Sequence, residues 1–116
     1  MADEHLDLDA LNELREVMED AYPQLLDTFL ADSEERLQAL REAGKAAQLV
    51  GVAHSFKGSS SNMGAVKLVA LCDELEKNAE KLSPSEIHEL ITAIDLEFAI
   101  VRPLYEAERQ RSLAES

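Results

Sequence analysis

Apolar residues recur at three- and four-residue spacing along most of the chain, and no segment alternates at period two. Leu8, Leu11, Leu14 and Met18 set out a first short helix, which Asp7 or Asp9 can cap. The Tyr22-Pro23 pair either breaks that helix or starts the next. A longer second helix turns Leu25/Leu26, Phe29/Leu30, Leu37 and Leu40 inward. It keeps Asp32 and Arg36, an i,i+4 pair, on its wet side. Ala43-Gly44-Lys45 ends it, with Gly44 in the C′ role. The third helix is expected over about 46–62, stopped by Gly64. The fourth, over about 65–82, carries Leu68, Leu71/Cys72, Leu75, Ala79 and Leu82 on its apolar side. Ser83-Pro84-Ser85-Glu86 is a start signal: Ser83 as N-cap, Pro84 in the first turn, Glu86 closing a capping box. The last helix buries Ile87, Leu90/Ile91, Ile94, Phe98 and Val101. Pro103 removes one backbone hydrogen bond and predicts a kink or a break there. Residues 1–6 and 107–116 are expected to fray. The pattern predicts one all-α domain, an antiparallel four-helix bundle with an additional short N-terminal helix.

Composition narrows what such a bundle can do. An apolar share of 46% over 116 residues supports an ordinary core, and with two Tyr, three Phe and no Trp it is mostly aliphatic. The net charge of −13 argues against nucleic acid and against anionic membrane surfaces, and favours partners with basic patches. The single Cys72 excludes an internal disulfide and suits a reducing compartment. No apolar run reaches the roughly 18 residues of a membrane span. The opening Met-Ala-Asp-Glu-His lacks the features of a signal peptide, so a cytoplasmic protein is expected.

The third helix carries the chemistry. Projected at about 100° per residue, His54, Lys57, Gly58 and Ser61 share one face, opposite the apolar bulk. Gly58 lies one turn above His54 and Gly51 almost one turn below, so neither covers the ring. Each glycine costs about 1 kcal/mol of helix stability relative to alanine. Their placement implies that the space over the imidazole matters. Lys57 puts a positive charge beside it, which suits the uptake of an anionic group. Free imidazole titrates near 6.5 and is a nucleophile at neutral pH. The plainer reading is a surface histidine on an amphipathic helix, and the four neighbours weigh against it. Val50, Gly51, Lys57, Gly58 and Ser61 include no acid, so a mainly neutral docking patch is expected around His54. Val50, one turn before His54 without an obvious burial partner, is a candidate docking contact. Ser61 and Asn62 can donate to the oxygens of an anionic group or serve as cap residues.

His54, Lys57, Gly58, Gly64 and Ala65 resemble the signature of histidine-containing phosphotransfer (HPt) domains. The wording Ala-His-Ser-Phe-Lys-Gly-Ser followed by Ser-Asn-Met-Gly-Ala is most similar to the stand-alone bacterial type. The resemblance implies that His54 accepts a phosphoryl group from a receiver-domain aspartate of a hybrid sensor kinase and passes it to the aspartate of a response regulator. It implies that Lys57 stabilises the phosphoryl oxygens in flight. It also suggests that Glu76, on the next helix, hydrogen-bonds the ring nitrogen that is not phosphorylated; the plainer reading is one more exposed glutamate. Val50, Gly51, Gly58 and Ser61 would serve partner docking and access to His54. No cofactor is expected in this chain, since Mg²⁺ belongs to the partner receiver, and a monomer is expected.

Other chemistries find no support. His5 lies in the tail, and His88 on a polar helix face. Ala2, Gly51 and Ser85 stand three residues before the histidines, so the Glu-x-x-His pairs of a di-iron bundle do not occur. Gly44-Lys45-Ala46 lacks the upstream Gly and following Ser/Thr of a P-loop, so no autonomous kinase activity is expected. The alternative is a non-catalytic helical adaptor that binds signalling partners without phosphotransfer.

Overall fold

The computed structural model of the chain describes residues 5–115. Five α-helices follow one another: α1 Leu8–Met18, α2 Tyr22–Glu42, α3 Ala46–Asn62, α4 Val66–Asn78 and α5 Pro84–Glu115. A 3₁₀ turn at Glu19–Ala21 joins α1 to α2. Helices α2 to α5 pack in a ring, each against two neighbours, and form the antiparallel four-helix bundle, with α1 short and additional. Among the described residues no helix is long and apolar enough to cross a membrane.

The helix ends follow local chemistry. Asp7, not Asp9, caps α1, its carboxylate accepting from the Ala10 N–H at 3.1 Å. At the start of α5 the capping box closes both ways: Ser83 N–H donates to Glu86 Oε1 at 3.0 Å, and Glu86 N–H to Ser83 Oγ at 3.1 Å. Helix α3 ends in a Schellman motif, with Ala65 N–H bonded to Ser60 O at 2.9 Å and Gly64 N–H to Ser61 O at 3.1 Å. Gly64 takes φ +69°, and Asp7 N–H donates to its carbonyl at 2.8 Å, so the entering chain docks on this turn. Gly44 follows the end of α2 but has no positive φ; Ala43 turns extended instead, and Gln48 Oε1 accepts from the Gly44 and Lys45 N–H groups at 2.9 and 3.2 Å.

The core takes the expected apolar residues and more. Leu26, Phe29, Leu37, Leu40, Leu49, Ala53, Phe56, Leu68, Cys72, Leu75, Ile94, Phe98 and Val101 are buried together with Tyr22 and Tyr105. Tyr105 meets Phe29 edge-on, with centroids 5.1 Å apart, and its hydroxyl donates to Met63 O at 2.6 Å. Burial raises both tyrosine pKa values, with Glu108 adding to the rise at Tyr22 and Tyr22 to that at Tyr105.

Three expectations change here. Helix α4 stops at Asn78 rather than near 82, and a turn closed by Leu82 N–H on Asn78 O (3.0 Å) carries the chain to Ser83. Pro103 does not break α5, which runs unbroken through it. The residue is exposed, as is Ala99, whose carbonyl loses its helical donor. Cross-helix ion pairs hold α5 to α2 on both sides of the proline: Asp27 with Arg109, Glu34 with Arg102, Arg41 with Asp95. Each step is seven residues on both helices, an antiparallel register at heptad spacing.

Nor does residue 107 start a frayed tail, since α5 continues to Glu115. Tyr22 donates its hydroxyl to Glu108 at 3.0 Å, Arg15 pairs with Glu115, and Ser112 is buried. At the other end, Leu6 is buried and His5 Nδ1 lies 2.8 Å from an oxygen of Glu97, which is 2% exposed. The part of the fray expectation that falls on residues 1–4 and 116 lies outside the described residues.

Candidate functional site

Helix α3 presents His54 as its fold predicts. Leu49, Ala53, Phe56 and Ser60 face the core, and this turns His54 outward with 70% of its side chain exposed. Gly51 and Gly58 are exposed, and a Cβ added at either would meet nothing within 4 Å. The ring therefore stands in open space above and below. Ser61 is exposed on the same face, about 10 Å further along the axis. Asn62 is exposed at the helix end.

Helix α4 supplies the second half of the site. Glu76, 22% exposed, places Oε2 2.9 Å from His54 Nδ1. An ionised carboxylate only accepts, so in the neutral ring Nδ1 carries the proton and Nε2 keeps its lone pair. The other oxygen, Oε1, lies 2.7 Å from Lys57 Nζ. Lys57 also reaches Asp73 Oδ1 at 3.3 Å, and Asp73 Oδ2 pairs with Lys77 at 3.0 Å. The result is a chain of alternating charge, Lys77–Asp73–Lys57–Glu76, ending on the imidazole.

The electrostatics agree with that order. Lys57, and after it His54, hold the Glu76 carboxyl below its ordinary value. Lys77 and then Lys57 do the same to Asp73. Glu76 and then Asp73 raise the Lys57 ammonium above its ordinary value. Cys72, buried one turn before Glu76, has its thiol pushed up to about 12 by desolvation, with Glu76 adding to it, and is therefore protonated and inert. Among the described residues no group of three His, Cys, Asp or Glu side chains could hold a metal ion; the charge between Asp73 and Glu76 is the Lys57 ammonium.

The structure thus brings His54, Lys57 and Glu76 together, with Gly51 and Gly58 leaving the ring open. It corrects the expectation for Val50, which is half-buried and packs on the core instead of standing without a partner. Helix periodicity could not show this, because the contact with the core appears only once the helices are packed. The patch is also less free of acids than α3 alone suggested, since α4 adds Asp73 and Glu76, each paired with lysine. Arg36 is not paired with Asp32: its Nε donates to Ser55 Oγ on α3 at 3.1 Å. Asp73 escaped the sequence reading, although Asp73, Glu76 and Lys77 share one face at i, i+3 and i+4. His88 is exposed in the second turn of α5, and its carbonyl accepts from Thr92 Oγ1 at 2.8 Å.

The comparisons point the same way. Residues 24–99 match the family model of the Hpt domain. No curated protein matches the chain. Among solved structures, it is similar to the crystal structure of histidine-containing phosphotransfer protein B (HptB) from Pseudomonas aeruginosa PAO1. The two share 54% sequence identity over 93% of this chain and 96% of that one, with a TM-score of 0.88. The matched span contains the whole His54–Lys57–Asp73–Glu76 cluster, and with it the chain belongs to the Hpt domain family.

Proposed function

We propose that this chain is a histidine phosphotransfer intermediate in a multistep two-component phosphorelay. His54 accepts a phosphoryl group from the receiver-domain aspartate of a hybrid sensor kinase and passes it to a response-regulator aspartate. The observation that carries this reading is the exposed imidazole with Nδ1 tied to Glu76 and Nε2 left open between two glycines. The Nε2 lone pair attacks phosphorus, and the P–O bond to the receiver aspartate breaks as the P–N bond forms. The aspartate leaves as carboxylate, and the Nδ1 proton stays in its bond to Glu76. The reverse displacement delivers the group to the regulator. Positioning and charge stabilisation carry such transfers, and in this reading Lys57 supplies the positive charge that stabilises the moving oxygens. The phosphoramidate is labile, which suits a relay.

The protein acts in the cytoplasm as a monomer and contributes no cofactor; the Mg²⁺ belongs to the receivers. The test is incubation with a phosphorylated receiver. Wild type should acquire acid-labile, base-stable label, and His54→Gln should acquire none while keeping its helix content by circular dichroism. Undiminished label on folded His54→Gln would overturn the assignment. Binding of the receiver without label on wild type would support the adaptor reading instead.

A further inference from the structure

We infer that Asp73 is a positioning residue which, through Lys57, sets how strongly the phosphorylated form of His54 is held. The inference rests on the proposed phosphotransfer and adds a regulator of its balance. Lys57 Nζ stands between two carboxylates, 2.7 Å from Glu76 and 3.3 Å from Asp73. An ammonium has three N–H donors and no acceptor. A phosphoryl group on Nε2 brings a third and more highly charged anion to the same ammonium. Glu76 is fixed by its bond to His54 Nδ1 at 2.9 Å, so it stays in place. Asp73 makes the longer contact and has a second cation waiting, Lys77 at 3.0 Å. Three anions can each take one N–H, so no partner need be lost outright. Asp73, at the longer contact, is the one that loosens as Lys57 turns to the phosphoryl oxygens, and Lys77 keeps its carboxylate compensated. Its pull on Lys57 opposes the phosphorylated state. That keeps the group easy to pass on. Asp73 also helps raise the Lys57 ammonium above its ordinary value, in agreement with the geometry.

The experiment measures how phosphoryl label partitions at equilibrium between a receiver aspartate and this protein. Asp73→Asn should shift the partition towards phosphohistidine by about two- to fivefold, the effect of losing one partly exposed ion pair. Added salt should shrink the shift. In a Lys57→Ala background the Asp73→Asn shift should vanish, because the effect runs through the ammonium. A readout free of phosphoryl chemistry accompanies it: NMR titration of Lys57 Nζ in the unphosphorylated protein should move down in Asp73→Asn. A partition unchanged or shifted towards the receiver overturns the inference. So does a shift of full size without Lys57, or a Lys57 titration that does not move. Wild type that takes up no label would instead remove the phosphotransfer reading, and this inference with it.

Discussion

At the residue scale the site depends on which nitrogen of one imidazole is free. Glu76 accepts from Nδ1 of His54, so the open lone pair is on Nε2. The same carboxylate faces Lys57 with its other oxygen and is held below its ordinary value of 4.5. A depressed carboxylate adds stability above its unfolded-state value and loses it as pH falls through the lower folded-state value. Wild type should therefore gain stability over Glu76→Gln as pH rises between about 3 and 6. Melting temperatures of both proteins across that range check this, and a difference that stays flat would contradict the pairing. His54, Lys57, Gly58 and Gly64 were legible in the sequence because they share one helix, where spacing fixes direction. Glu76 came from the resemblance, since the contact joins residues 22 positions apart. The His5–Glu97 pair had no local signal, because only the packing of distant segments joins it, while Asp73 had its i, i+3 and i+4 spacing to Glu76 and Lys77 but no local sign of its contact with Lys57.

At the scale of elements, the glycines of α3 and its end separate two uses of the same residue. Gly58 has ordinary helical backbone and open space around it, so helix propensity alone governs substitution there. Gly58→Ala should stabilise the protein by about 1 kcal/mol. Gly58→Gln should stabilise it somewhat less and slow transfer, by covering the ring. Gly64 has φ +69°, and an added Cβ would sit 3.1 Å from Asp7 O. Gly64→Ala should therefore cost at least about 1–2 kcal/mol. Chemical denaturation of the variants checks the opposite signs; equal effects would show that the two positions are not distinguished in this way. The capping box at Ser83 and the stop at Gly64 were readable because each is closed within a few residues. Of the kink and the break that Pro103 predicts, the break does not occur, because the surroundings offset the cost of one lost hydrogen bond. Buried Val101 and Tyr105 flank the proline, and the pairs to Glu34 and Asp27 tie the helix down on either side. The positions Val101, Tyr105, Glu108 and Ser112 continue the inward spacing past residue 107 and were the available sign that the helix goes on.

Across the whole molecule, charge is distributed unevenly with respect to function. The chain carries −13, yet beside His54 the lysines 57 and 77 balance Asp73 and Glu76. A receiver presents a phosphoryl group and an aspartate, both negative, so a neutral patch avoids repelling them. Transfer from a receiver should accordingly depend weakly on ionic strength. Gly51→Glu, in open space almost one turn from the imidazole, should slow transfer at low salt and recover part of the rate as salt screens the added charge. Rates of both proteins across ionic strength are the check, and a Gly51→Glu rate equal to wild type at low salt would place the docking surface elsewhere. The fold class was legible from periodicity alone, because helical spacing and short loops leave little choice but a bundle. The reach of α5 was not, since it rests on contacts to Arg15 and Tyr22 near the other end of the chain.

The central claim is that the phosphoryl group lands on Nε2 of His54 while Nδ1 remains with Glu76. The most direct measurement is nitrogen–phosphorus coupling by NMR on protein labelled with ¹⁵N in its histidines and phosphorylated by a receiver. The account predicts coupling to Nε2 of His54, with an Nδ1 proton still hydrogen-bonded. Phosphorus coupled to Nδ1 of His54, or to a nitrogen of His5 or His88, would contradict it.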